Sequence, residues 1–291
     1  MRQNPVRTGA LMAIASMVCV QLGLAVSVLL IDRLGADGTA WLRLVWAGVI
    51  VLIIARPKRS AFTGKSFAIC VVLGVVTAAI TMLFMAAISH IPLGTASALE
   101  FLGPLGVAVA AGSGRNRMLW PALAGVGVVL LTEPWTGTVN VIGILFALGA
   151  AVCWAGYILL TQRVGDDVAG INGLAVSMPV AGLVATVVVS PSVVGRLTPD
   201  LILIGVGLAL LLPVIPFTLE LLSLRRLNTA AFGTLMSLEP TLAMFVGLVV
   251  LAQVPGPLAV IGIGFVVAAG IGAARSGART VEPAVPATAN A

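Results

Sequence analysis

Four charged residues, Arg43, Glu100, Glu220 and Glu239, interrupt stretches of sequence that are otherwise apolar. A charge at the centre of a bilayer costs about 2.5–3.5 kcal/mol on insertion scales, so each needs a physical reason. Glu100 stands in Leu99-Glu-Phe-Leu-Gly-Pro104, Glu220 in Phe217-Thr-Leu-Glu-Leu221 and Glu239 in Leu238-Glu-Pro240. One chemistry suits all three: carboxylates lining a polar cavity, where one binds an ammonium and another exchanges a proton. Burial disfavours the charged form of a carboxyl, which readies it to carry a proton. The bland alternative is a set of interhelical carboxylates paired with Ser, Thr or Arg for packing. Glu239, immediately before a proline, also reads as the cap of a broken helix. Arg43 lies in Trp41-Leu-Arg-Leu-Val45, about one turn into its helix. It either snorkels to the interface beside Trp41 or neutralises a substrate carboxylate or one of the glutamates. Gln21, Trp154 and Tyr157 either line the same cavity or pack.

The elements that must hold these residues are membrane spans. Of 291 residues, 60% are hydrophobic and 9% charged, with a mean hydropathy of +1.16. Soluble proteins carry about 25% charged residues. Apolar runs lie near 8–31, 39–55, 66–89, 94–112, 118–133, 141–161, 173–190, 200–222, 229–252 and 257–274. Ten spans of about 20 residues use roughly 200, which leaves short loops and no sizeable extramembrane domain. Pro104, Pro213, Pro216 and Pro240 fall inside these runs. Each removes a backbone hydrogen bond, which is tolerable at a cavity wall, a hinge or a simple kink.

The composition excludes several functions. A pI of 10.2 ordinarily raises nucleic acid as a partner, but the basic residues fall between apolar runs, where a membrane protein needs them. Cys19, Cys70 and Cys153 stand singly in apolar stretches, so neither a disulfide framework nor a zinc site follows. A lone histidine, His90, supports no HExxH metal site. Gly64-Lys65-Ser66 ends like a phosphate loop, yet Arg59 replaces its first glycine. The Gly-x-Gly pairs at 125, 205 and 262 lack the third glycine and read as close helix packing in lipid. No cofactor, no metal, no catalytic residue and no enzymatic activity are expected. The basic, apolar N-terminus reads as a retained first helix rather than a cleaved leader.

Thirteen of the sixteen basic residues fall on the side of both termini if there are ten spans. Only Arg33 and Arg196 fall opposite, and Arg43 lies within the membrane, which predicts cytoplasmic termini. An internal repeat gives the architecture. Gly9-x-Leu-x-Ala13 with Val18-Cys19 recurs as Gly143-x-Leu-x-Ala147 with Val152-Cys153, at an offset of 134. Residues 91–104 align with 227–240 at an offset of 136, pairing Leu99 with Leu235, Leu102 with Leu238 and Pro104 with Pro240. That alignment sets Glu239 opposite Gly103, three residues beyond Glu100, so the two carboxylates share similar faces of equivalent helices. Five spans per unit make the copies insert in opposite senses, as in many secondary transporters. The expected fold is an all-α polytopic membrane protein of two inverted five-helix repeats, residues 1–134 and 135–274, with a disordered cytoplasmic tail over 275–291.

The stretches Ile91-Pro-Leu-Gly-Thr-Ala-Ser-Ala-Leu-Glu-Phe-Leu-Gly-Pro104, Cys153-Trp-Ala-Gly-Tyr-Ile158 and Phe232-Gly-Thr-Leu-Met-Ser-Leu-Glu-Pro240 carry a family resemblance. The chain resembles the drug/metabolite transporter superfamily, specifically its ten-helix proteins with two EamA domains, over about residues 9–274. Within that group it is most similar to the bacterial threonine/homoserine exporters of the Rht type. The resemblance implies a multi-pass inner-membrane exporter of small amino acids, coupled to proton entry, with lipid, protons and a small-molecule substrate as partners. It carries to Arg43, Glu100, Glu220, Glu239 and Pro240, which match that branch's motifs. Two other readings stay open: an exporter of another solute, such as a drug-like cation, a nucleobase or a sugar derivative, and a membrane subunit that transports nothing. An intramembrane lipid enzyme lacks any paired catalytic motif.

Overall fold

The computed structural model describes residues 5–57, 62–111, 118–133, 135, 139–167, 172–189, 193, 195–224, 226 and 229–276. All regular structure among them is helical. The elements are α1 (Pro5–Ala55), α2 (Gly64–Ile88), α3 (Leu93–Glu100), α4 (Leu102–Ala111), α5 (Leu119–Thr132) and α6 (Val141–Asp167). They continue as α7 (Asn172–Val188), α8 (Pro199–Ala209), α9 (Ile215–Leu224), α10 (Thr229–Met236), α11 (Glu239–Leu251) and α12 (Pro257–Ser276). Six helical segments among these residues are long and apolar enough to cross a membrane, and three shorter apolar helices accompany them. Helices are what such sequence must form, because hydrocarbon offers no partner to an exposed backbone amide or carbonyl. Large apolar side chains face outward, as at Val187 (86% exposed) and Leu203 (72%), where lipid rather than water would cover them. Residues 277–291, the polar tail, lie outside the described residues.

Helix α1 shows how one residue divides a long helix into two arms. At 51 residues an unbroken helix would run about 76 Å, far beyond a hydrocarbon core of about 30 Å. Gly35, at φ 79° and ψ 167°, interrupts it. That backbone region is essentially closed to residues with a Cβ. Both arms then supply the same buried clusters: Leu24 and Ala25 with Ala40, and Leu30 and Leu34 with Leu42. The connection that the sequence marks over residues 32–38 is therefore a kink at one glycine, with helix running up to it on either side. The kink is tied to the start of α8. Arg33 pairs with Asp200 at 2.9 Å, and Arg196 Nη2 donates to the Leu34 carbonyl at 3.3 Å.

Three of the apolar runs are broken, and in each the helix before the break ends four residues before a proline. Proline has no N–H and its ring clashes with the carbonyl four residues earlier. Pro104 thus faces Glu100, where α3 ends, and Pro240 faces Met236, where α10 ends. Pro213 faces Ala209, the last residue of α8, and Pro216 faces Leu212, whose φ of −143° and ψ of 87° are not helical. A π segment, Leu210–Val214, bridges α8 to α9 across the second pair. Pro179, by contrast, sits inside the continuous α7, so proline permits a break without forcing one.

The helices pack in a recurrent pattern: α2 against α6 and α7, α1 against α7, α8 and α9, α3 against α11, and α5 against α12. The last pair is held by glycine. A Cβ on Gly127 or on Gly262 would lie 2.7 Å from the other's carbonyl oxygen, so neither position has room for one. Small residues allow this approach and the dispersion contacts that hold helices together in lipid. The alanine-rich core beside α3 gathers Ala40, Met85, Leu93, Leu99, Ala147 and Ala150.

Candidate functional site

The second arm of α1 carries Arg43 inward, with only 8% of its surface exposed. It heads a cavity of about 210 Å³ whose wall includes Thr77, Thr81, Tyr157, Leu212 and Pro216. Its Nη1 is buried and has no hydrogen-bond partner among the described residues. Nor does any carboxylate among them come within 4.0 Å of it, since their one ion pair is Arg33 with Asp200. The side chain of Arg43 is buried rather than extended into solvent. A snorkelling side chain would place its guanidinium in water, whereas this one is retained inside.

Glu100 lies near enough to act through space on Arg43, and Glu239 near enough to act on Glu100, so the three charges form a connected cluster. Arg43 and Glu239 are the charged groups that act through space on Glu100. Glu100 is the last residue of α3, immediately before the break. Glu239 opens α11, immediately after the pseudo-equivalent break at Ser237 and Leu238. Gln21, fully buried on α1, donates from Nε2 to Glu239 Oε1 at 3.3 Å. The cluster therefore draws on α1, α3 and α11, and two of its three charges sit at helix ends.

Those ends have opposite polarity. The N-terminus of a helix carries partial positive charge and its C-terminus partial negative charge. Glu239 lies in the first turn of α11, where the helix supports an anion. Glu100 lies in the last turn of α3, where it does not. The alternative expected for Glu239, the cap of a broken helix, is met only in part: it stands in that helix's first turn, but the cap position is Leu238 and no side chain caps it. Glu220 falls on α9, four residues beyond Pro216, and its side chain lies outside the described residues.

Of the other candidates, Tyr157 lines the Arg43 cavity and Gln21 meets Glu239. Trp154 is not among the residues that line it. Thr77 and Thr81 do line it, and sequence reasoning missed them. Spaced four apart on one helix face, they were the available signal, but hydroxyls cost too little in lipid to stand out as the charges do. Among the described residues no group of His, Cys, Asp and Glu is placed to hold a metal, and the three cysteines are free.

The comparisons with known proteins meet this geometry from outside. Residues 141–274 match the model of the EamA-like transporter family. The threonine/homoserine exporter RhtA of Escherichia coli K12 is 32% identical over 281 residues, which covers 94% of this chain and 93% of that protein. The chain belongs to the EamA-like transporter family. It is thereby a member of the drug/metabolite transporter superfamily. Its EamA relatives include RhtA of Salmonella typhimurium LT2, 31% identical over 280 residues, covering 93% of this chain and 92% of that one. A crystallised protein at 17% identity aligns with a TM-score of 0.62 over 95% of this chain and 99% of its own, which shows a shared fold. An EamA transporter with several apolar spans is a multi-pass membrane protein.

Proposed function

We propose that this chain is an inner-membrane exporter of small polar amino acids of the threonine and homoserine class, driven by proton entry through alternating access. The observation that carries the reading is Arg43, a buried guanidinium whose Nη1 has no hydrogen-bond partner among the described residues, at the head of a small cavity and within electrostatic reach of Glu100. A zwitterion cannot cross hydrocarbon cheaply, and it carries the two charges such a site complements. Its carboxylate pairs with the fork of Arg43, and its ammonium with Glu100 or Glu239. The size agrees. At about 30 Å³ per water, a volume near 210 Å³ holds roughly seven waters, comparable to a small amino acid. Drug-sized ligands occupy about 300–1,000 Å³. A drug-like cation would also meet Arg43 as a repelling charge.

The topology proposed with this function has ten spans in two inverted repeats, residues 1–134 and 135–274, with both termini cytoplasmic. Its support is the correspondence of the breaks at Phe101 and Ser237, which keeps the offset of 136 seen in sequence, and the pairing of α3 with α11 and α5 with α12. Arg33 and Arg196, the two basic residues assigned to the far side, also meet the same kink. The cavity then lies between the repeats, where rocking one against the other exposes it to each side in turn. Glu100, at the unfavourable end of α3, exchanges the proton. Once protonated it no longer attracts the ammonium, which favours release.

The test is transport of labelled threonine and homoserine in proteoliposomes under an imposed pH gradient, comparing wild type with Glu100→Gln and Arg43→Ala. Gradient-driven transport that Arg43→Ala abolishes and Glu100→Gln uncouples from pH is the expected result. A folded, inserted wild type that moves neither amino acid overturns the substrate. Transport indifferent to both the gradient and Glu100→Gln overturns the coupling.

A further inference from the structure

We infer that Thr77 and Thr81 read a hydroxyl on the substrate's side chain, so that the cavity selects hydroxy amino acids over their aliphatic isosteres; this rests on the proposed amino-acid export. The two residues are one turn apart on α2 and both face the cavity headed by Arg43, at 9% and 8% exposure. Apart from these two, Arg43 and Tyr157, the described residues of the wall are apolar. Thr77 spends its proton within the helix: Oγ1 donates to the Leu73 carbonyl at 2.8 Å. What it offers the cavity is an acceptor only. Thr81 has a rotatable hydroxyl that donates or accepts.

An acceptor and a donor one turn apart match the two faces of a single hydroxyl, which gives its proton to Thr77 and receives one from Thr81. A methyl in the same place leaves both threonine oxygens buried against carbon, and an unmade hydrogen bond there costs more than a made one gains. A site built to bond a hydroxyl therefore rejects the analogue that lacks it more sharply than a hydrophobic pocket rejects a missing methylene. With the substrate carboxylate at Arg43, the two threonines of the same cavity are left for the side chain. Threonine against valine, and homoserine against norvaline, are the pairs that differ at this point alone.

The experiment is inhibition of labelled threonine counterflow by unlabelled threonine or valine, in proteoliposomes of wild type, Thr77→Val, Thr81→Val and Thr77→Ser. Wild type should prefer threonine over valine by roughly tenfold or more, the discrimination one hydrogen bond supplies. Either valine variant should bring that ratio close to unity, chiefly by weakening threonine, and Thr77→Ser should keep it. Valine matches threonine in shape, and detergent-solubilised melting checks the fold; should one variant not fold, the other still decides. A wild type that transports threonine but handles valine equally, or valine variants that keep the preference, overturn this inference and leave amino-acid export standing. A wild type that transports neither amino acid overturns both.

Discussion

The open cleft at Arg43 has a volume of about 210 Å³, while a second, of about 410 Å³, lies where α3 begins, α5 ends and α11 gives way to α12. The larger one is also lined by polar side chains, among them His90, Asn140 and Gln253. These are occupied in closing helix ends. Gln253 Oε1 accepts from the Leu93 amide at 2.9 Å, and Asn140 Oδ1 from the Gly143 amide at 3.0 Å. Asn140 Nδ2 donates to the His90 carbonyl at 3.3 Å, and His90 Nδ1 to that of Ala86 at 2.8 Å. The smaller cavity holds a guanidinium nitrogen with no such occupation among the described residues. Size ranks the two one way and unspent polarity the other. A buried charge is too costly to keep for packing alone, so the smaller cavity is the one whose contents ask for a ligand.

The sharpest way to break this contrast is Arg43→Met. If the guanidinium exists to meet a substrate, the substitution should cut transport by roughly a hundredfold, the equivalent of a buried charge pair of about 3 kcal/mol. Melting in detergent should not fall, because methionine fills the space without an unpaired buried charge. A large loss of melting temperature would show that Arg43 holds the fold instead. Next in size is the split between the two glutamates. Glu239→Gln leaves an oxygen for the Gln21 amide to reach, and so should lower transport roughly tenfold while keeping its response to pH. Glu100→Gln should remove that response. If the two variants behave alike, the opposite helix ends they occupy do not set their roles.

The sequence exposed these charges because nothing else in an apolar run is so expensive; in the fold Arg43 and Glu239 each lie within electrostatic reach of Glu100, and the Glu220 side chain lies outside the described residues. The order of apolar runs was equally legible, since bilayer thickness dictates span length. What could not be read was how runs end. The polar stretch over residues 32–38 marked a connection, but not that Gly35 alone would make the turn with helix running up to it on either side. The prolines were visible, but Pro179 leaves its helix whole where Pro104 and Pro240 do not. Tertiary packing decides that difference. The wall of the smaller cavity was illegible for another reason: Thr77 and Thr81 become a pair only once α2 has turned that face toward Arg43.

The same contrast extends to regions with no cavity. Where α5 meets α12, Gly127→Leu must push aside the Gly262 carbonyl, and overpacking of this kind costs about 1–3 kcal/mol. The expected result is a lower melting temperature in detergent, with transport per folded molecule reduced far less than by Arg43→Met. Equal losses of transport would make this seam part of the moving mechanism.

The smallest effect belongs to the larger cavity. Gln253→Ala deprives the first amide of α3 of its acceptor, and losing such a contact costs about 1 kcal/mol. Water can enter a cavity of that size and replace part of the bond, which limits the damage further. Threonine transport per folded molecule should stay within about twofold of wild type, a change no larger than such a stability loss imposes. The measurement has a clear adverse outcome. If Gln253→Ala weakens threonine competition as strongly as a substitution at Arg43, the larger cavity binds substrate too. Satisfied polar groups would then be part of the path, and occupation of hydrogen bonds would cease to distinguish a site from a scaffold in this fold.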